Sequence, residues 1–235
     1  MRIVALLRVK NEALWIEKVL GSIRPLCDPI IVLDDHSDDG TPALCEAVGA
    51  TVLHSKFSGI DESRDKTFLL EAAAAFKPDW CYMIDGDEFL EPNGPDLIRA
   101  SISGGQSDSY MFPLLYLWDR LDQIRVDRVY SRMRRHSLWK FVPGDRFRTT
   151  HFGGNFHCGS VPERVVPLPK GLCAARILHL GYLHREDRIR KYEWYNRIDP
   201  GNELEDCYRH MVIGDIFPAT SAFKHAGPLQ LAPLV

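Results

Sequence analysis

The sequence predicts an α/β protein built on a mostly parallel central sheet flanked by helices, with a helical appendage at the C-terminal end. Three observations carry this expectation. Short apolar runs alternate with helix-patterned segments through the first part of the chain, with Pro or Gly at their boundaries. Acidic clusters follow two of those runs, where the strands of a parallel sheet would end. The 235 residues are 45% apolar and 26% charged, enough to bury one sizeable core with a tail left over.

The elements follow in order. Ile3 to Leu7 is a short apolar strand, and Trp15, Ile16, Val19, Leu20 and Ile23 recur at helical spacing behind it. Pro25 and Pro29 punctuate the loop before a second strand, Ile30 to Leu33. Asp34 to Gly40 is a polar turn, and Thr41-Pro42 opens a helix running through Val48. Thr51 to Leu53 makes a third strand, and a Leu- and Ala-rich helix from Glu62 to Phe76 leads to the fourth, Trp80 to Ile84. Beyond it the pattern loosens. Ser109 to Leu117 reads as a strand, Arg128 to Phe141 as a hairpin, Thr149 to Pro169 as loop and Ile177 to Tyr182 as a last strand. Arg185 to Tyr195 is helical and charged, and a Pro-containing tail begins at Pro218.

The fourth strand ends in Asp85-Gly86-Asp87-Glu88. Carboxylates crowded at a strand tip repel one another unless a cation neutralises them, and oxygen-only ligation suits Mg²⁺ or Mn²⁺ shared with substrate phosphates. The cluster Asp34-Asp35-His36-Ser37-Asp38-Asp39-Gly40 has a rival reading. Counted from Asp35, its oxygens, Gly40 and Glu46 match the spacing of a calcium loop. A strand precedes it where a helix is required, and Pro42 takes the hydrophobic eighth place, which rejects calcium. A phosphatase Asp-x-Asp-x-Thr fails as well, since Ser37 stands four before Thr41 and no Thr follows Asp87.

Together, Val9-Lys10-Asn11-Glu12, Leu33 through Thr41, Ser63-Arg64-Asp65-Lys66 and Ile84 through Glu88 resemble the family 2 glycosyltransferases of the GT-A fold. Farther on, Arg132-Met133-Arg134 and His179-Leu180-Gly181-Tyr182 look like the small bacterial lipopolysaccharide-core branch. The resemblance implies a Rossmann-like GT-A domain over residues 1–184, with a nucleotide-sugar half to 105 and an acceptor half after it. Residues 185–235 would form a helix and tail. It implies a metal-dependent transferase moving a sugar from a nucleotide-diphosphate sugar, most simply a UDP-sugar, to a glycan or other acceptor hydroxyl. Asn11, Glu12, Asp35 and Asp85 would hold base and ribose. Arg64 would face the diphosphate, where a guanidinium fork fits phosphate oxygens. Asp85, Asp87 and His179 would bind Mn²⁺ or Mg²⁺.

The base that takes the acceptor proton is not marked by a clear acidic pair. Glu163 and Asp119 are the first candidates, followed by Asp145 and His157; His151 is a candidate for acceptor contact. Trp118 and Trp139 are either core or sugar-stacking platforms. The late charged helix is either a surface helix or a lid whose Arg188 or Lys191 reaches the diphosphate.

A net charge of −3 gives no global attraction to nucleic acid or anionic membrane. The local run from Arg120 to Arg148 is either a solvated face or a basic lip for phosphates. Rival readings are therefore a non-catalytic nucleotide- or glycan-binding module, and a glycosyltransferase acting on modified nucleic acid. Six cysteines show no C-x-x-C pair or zinc spacing and read as reduced core residues. No stretch has the length of a signal peptide's apolar region or a membrane span, so the expectation is cytoplasmic, with at most peripheral membrane contact.

Overall fold

The structure, a computed structural model, describes residues 1–148 and 158–235, with the backbone alone at 203–205. In chain order the elements are β1 (Ile3–Val9), α1 (Ile16–Ile23), β2 (Ile30–Asp34), α2 (Thr41–Ala47), β3 (Thr51–His54), α3 (Glu62–Ala74), β4 (Trp80–Met83), β5 (Glu88–Leu90), α4 (Gly94–Ser103), β6 (Ser109–Trp118), β7 (Arg120–Arg125), β8 (Arg134–Lys140), β9 (Gly171–Leu172), β10 (Ile177–His179), α5 (Arg185–Ile198) and β11 (Leu231–Pro233). Two compact units emerge: Met1–Phe112 with Arg135–Arg176, and Pro113–Arg134 with Ile177–Val235.

The first unit holds the expected sheet. Strands run in the order β3-β2-β1-β4, all parallel, and β8 adds antiparallel to β4. This mixed, mostly parallel sheet with flanking helices has the GT-A, Rossmann-like architecture. Every residue of β2 and β4 is buried, which is why both read as continuous apolar runs rather than alternating ones. Helix α1 buries Ile16, Val19, Leu20 and Ile23 on one stripe. Helix α3 starts at Asp61, whose carboxylate accepts from the Arg64 amide at 3.0 Å, an N-cap that sets where Arg64 leaves the helix. The core on that side gathers Leu6, Leu33, Leu69, Met83, Trp139 and Phe147. Because β2 and β3 lie to one side of β1 and β4 to the other, the chain reverses its winding direction between β1 and β4.

The second unit departs from the sequence reading. The hairpin is formed by β6 and β7, paired antiparallel through Leu117↔Ile124, not by residues 128–141. Arg128–Ser131 is instead a 3-10 turn. The reason lies in Asp127, a buried acid whose carboxylate accepts from Arg125 and from the distant Gly227 amide and so pins the chain there. Strand β10 is not the last one, because β11 in the tail pairs antiparallel with β7, Leu231 opposite Arg125. Helix α5 runs on to Ile198, and Glu203–Val212 follows as a 3-10 segment. No helix among the described residues is long and apolar enough to cross a membrane.

Candidate functional site

In the first unit, the segments after β1, β2 and β4 stand together at the C-terminal ends of adjacent parallel strands. Ligands of open α/β sheets bind there, at the point where the winding reverses.

The loops after β1 and β2 are stitched to each other. The Asn11 amide donates to Ser37 Oγ at 2.9 Å, and the Asp38 amide donates to Asn11 Oδ1 at 2.9 Å. The Glu12 amide donates to Thr41 Oγ1 at 2.8 Å, and the Ala13 amide to Asp39 Oδ2 at 3.0 Å. Asn11 adopts a φ of +56°, which Asn tolerates better than most residues. Its side chain is thus a brace between loops, and Ser37 and Asp39, two oxygens of the calcium-like spacing, serve the same brace.

Asp35 lies 5% exposed at the end of β2. Its Oδ2 accepts from Arg8 Nη2 at 2.6 Å, and Arg8 Nε donates to Asp65 Oδ2 at 2.9 Å. Asp65, fully buried on α3, accepts in turn from Arg64 Nε at 2.9 Å. Arg64 also donates to the carbonyls of Ser58 and Gly59 and lies 4.4 Å over the Phe57 ring. A chain of alternating charge therefore runs Asp35, Arg8, Asp65, Arg64. Arg64 faces a cavity of about 330 Å³ with Phe57, Thr67, Phe68 and Arg146, and none of Asp35, Asp85 or Asp87 lines it.

The Asp85-Gly86-Asp87 turn presses on the β1 loop. A Cβ at Gly86 would stand 2.7 Å from Glu12 Cγ and 3.2 Å from Val9 Cγ1, so only Gly fits beneath Glu12. Arg135 of β8 forks onto Asp85, Nη2 to Oδ1 at 2.8 Å and Nη1 to Oδ2 at 2.9 Å, and Nη1 also reaches Glu88 Oε1 at 2.9 Å. Partial burial works against ionisation of Asp85, but the Arg135 charge beside it, helped by Lys66, holds the carboxyl below its ordinary range. Glu88 is 1% exposed, and burial pushes its carboxyl up to about 8; Arg135 pulls it back while Asp85 and Asp87 add to the rise. Asp87 is 5% exposed.

Asp85 and Asp87 are oxygen donors of the kind a hard divalent ion takes. Among the described residues no group of three or more His, Cys, Asp or Glu is disposed to hold a metal. Two carboxylates completed by phosphate oxygens are nevertheless an ordinary Mg²⁺ site, so the pair fits an ion that arrives with a nucleotide diphosphate.

The remaining candidates lie elsewhere. Glu163 is an exposed loop residue of the first unit, its amide bonded to the Arg146 carbonyl. Asp145 is buried and gripped by both Nε and Nη2 of Arg164, which removes it as a free base. His151 and His157 fall outside the described residues. In the second unit, the His179 ring packs 4.8 Å from those of both Tyr116 and Tyr182. Asp119, at a φ of +60°, accepts from Arg188 Nη2 at 2.8 Å. Arg188 is itself buried, bonded to Asp215 and to the carbonyls of Tyr182 and Leu183, so it is an anchor of this unit and not a mobile diphosphate contact. Trp118 and Trp139 are 1% and 0% exposed, core residues with no face for a sugar. Trp118 carries the guanidinium groups of Arg125 and Arg188 at 4.7 and 4.1 Å. Four arginines of the basic run are spent on partners within the fold: Arg120 on Asp122, Arg125 on Asp127, Arg128 on the Phe223 carbonyl and Arg135 on Asp85 and Glu88.

Sequence reasoning assigned no role to Arg8, Asp65 or Arg135. The only signal for Arg8 was a charge inside an otherwise apolar strand, which demands a buried partner. Arg135 was hidden among neighbouring arginines, and the motif-like Arg132-Met133-Arg134 lies just before it.

Comparisons with known proteins add relatives. No family model matches the chain. An uncharacterised protein of Mycobacterium tuberculosis is 29% identical over 217 residues, spanning 85% of this chain and 51% of that one. An uncharacterised glycosyltransferase of Rickettsia bellii is 33% identical over 144 residues, 60% of this chain and 47% of its own length. Further uncharacterised glycosyltransferases from Rickettsia felis and Rickettsia conorii match at 32% and 30%. These matches link the chain to the glycosyltransferase superfamily. The chain spans about half the length of these curated relatives from Mycobacterium tuberculosis and Rickettsia bellii. The crystal structure of S. aureus TarS, residues 1–349, superposes over 90% of this chain and 70% of that one with a TM-score of 0.51 at 12% identity, a likeness of fold.

Proposed function

We propose that this chain transfers a sugar from a nucleotide-diphosphate sugar, a UDP-sugar, to an acceptor hydroxyl in the building of a bacterial-type glycan such as a lipopolysaccharide core. One observation carries the reading. Glu12, Asp35 and the Asp85–Asp87 turn end adjacent parallel strands at the winding reversal between β1 and β4, with Gly86 seated against Glu12. The superfamily link supports it.

In this reading Asp35 accepts hydrogen bonds from the base, held in place by Arg8, and the braced Asn11–Glu12 loop forms the rim of the nucleoside site. Asp85 and Asp87 hold Mn²⁺ or Mg²⁺, which when bound supplies positive charge for the leaving diphosphate. Arg64 adds a cation on the α3 side. Glu163 is proposed as a candidate for the acceptor's base. The acid chemistry at the strand tips, not the arginine run, supports a nucleotide-sugar partner and disfavours nucleic acid.

The test is calorimetric titration of UDP with and without Mn²⁺, followed by donor hydrolysis. UDP is expected to bind more tightly with Mn²⁺, and Asp87→Ala is expected to abolish the metal-dependent gain and the hydrolysis while the circular dichroism spectrum is unchanged. Wild-type turnover in Asp87→Ala would refute the assignment. Tight UDP binding with no hydrolysis of any common UDP-sugar would favour the non-catalytic module.

A further inference from the structure

We propose that Arg135 is a positioning residue that occupies the Asp85 carboxylate in the cation-free protein and competes with a divalent ion for it. This rests on the metal reading of Asp85 and Asp87 given above. The geometry of the fork carries it. Arg135 sets both terminal nitrogens on the two Asp85 oxygens, at 2.8 and 2.9 Å, and gives Glu88 a single contact at 2.9 Å. The single contact goes to Glu88, the acid most removed from water at 1% side-chain exposure. The grip falls on Asp85, whose side chain is 47% exposed and therefore open to a ligand. Among the described residues the buried Arg135 Nε has no hydrogen-bond partner, so the group is held there by its carboxylates.

The consequence is an order of events in the protein's own residues. With Arg135 in place, the Asp85 carboxylate keeps its orientation without a metal. A divalent ion alone meets a carboxylate already satisfied by a cation at hydrogen-bond distance. An ion carried by a diphosphate brings its own oxygen ligands and needs less from Asp85. Arg135 thus biases the site toward the ion–nucleotide pair over the free ion.

The experiment measures Mn²⁺ affinity of the intact protein by electron paramagnetic resonance of free Mn²⁺, with and without UDP. Arg135→Gln is expected to tighten Mn²⁺ binding in the absence of UDP at least about tenfold, and to narrow the gain that UDP gives. Arg135→Lys, which keeps the charge but loses the fork, is expected to fall between wild type and Arg135→Gln, and stands in should the latter fail to fold. Arg134→Gln removes an exposed charge one residue away and is expected to change affinity less than about twofold. A merely structural role predicts weaker Mn²⁺ binding in the Arg135 variants. Unchanged or weaker binding in them, or an equal shift in Arg134→Gln, overturns the proposal while Asp87-dependent binding preserves the metal reading. If no form of the protein binds Mn²⁺ in an Asp87-dependent way, even with UDP, the metal reading falls first.

Discussion

Arg8 Nη2 lies 2.6 Å from Asp35 Oδ2 while the same guanidinium holds the fully buried Asp65 through Nε at 2.9 Å. One strand residue thereby fixes an acid on the next strand and an acid on the helix above. Burial works against its charge, yet the hydrogen bond to Asp65 and the charges of Asp35 and Asp65 raise its pKa, so it stays protonated at any working pH.

Replacing Arg8 by Met is expected to cost about 3 kcal/mol of stability, since two buried acids lose their shared counter-ion. Asp35→Asn replaces the carboxylate with a neutral side chain of nearly the same shape. It is expected to cost less than about 1.5 kcal/mol while weakening uridine-nucleotide binding. Urea unfolding and calorimetry separate the two effects; equal stability losses in both would show that Asp35 serves only the fold.

Gly86→Ala inserts a methyl where Glu12 Cγ would stand 2.7 Å away. The atoms met are Glu12 Cγ and Cβ, at 2.7 and 3.1 Å, the base of that side chain and not its far end, so the β1 loop must shift and the expected loss is about 2 kcal/mol. Gly86→Val is expected to lose more. Nucleotide affinity should fall further than stability, measured by titrating UDP against each variant.

His136 sits next to Arg135 on β8, and burial, assisted by the Lys170 charge, lowers its pKa to about 4. The unfolded chain takes up the proton near 6.5, so stability is complete above that pH and declines as pH falls toward 4. The loss is on the order of 2 kcal/mol after allowance for partial solvent access. His136→Gln is expected to flatten the unfolding midpoint between pH 6.5 and 4.5; an unchanged acid slope would assign that slope to other groups.

Arg188→Gln is expected to destabilise the protein by about 3 kcal/mol, because it leaves Asp215 and two carbonyls without their donor. A lid residue would instead raise KM for the donor with little change in melting temperature. Thermal unfolding alongside donor kinetics distinguishes the two.

What the sequence made legible follows from how each element is stabilised. Strands β1, β2 and β4 are buried on both faces and announce themselves as apolar runs, and α1 shows its stripe at i, i+3, i+4 and i+7. The acidic tips were legible because clustered carboxylates are costly and therefore informative. Helix α4 escaped notice because Pro92-Asn93-Gly94-Pro95 looks like a turn, although Pro in a first helical turn is also a helix start. The second unit resisted because its elements are set by distant partners: β11 reaches β7 across the tail, and Asp127 binds Gly227 from far along the chain. No local pattern encodes such pairs. The same holds for Arg135, whose partners lie on a different strand tip.

The brace between Asn11–Ala13 and Ser37–Thr41 has a bearing on donor-range engineering. Each of these loops takes its shape from hydrogen-bonding atoms that the other supplies. Grafting one of them from a homologue would import a contour without its anchors, and a length change in one would leave amides of the other unsatisfied. The pair is a single transplantable cassette, and libraries that diversify both together are the ones expected to keep a folded rim.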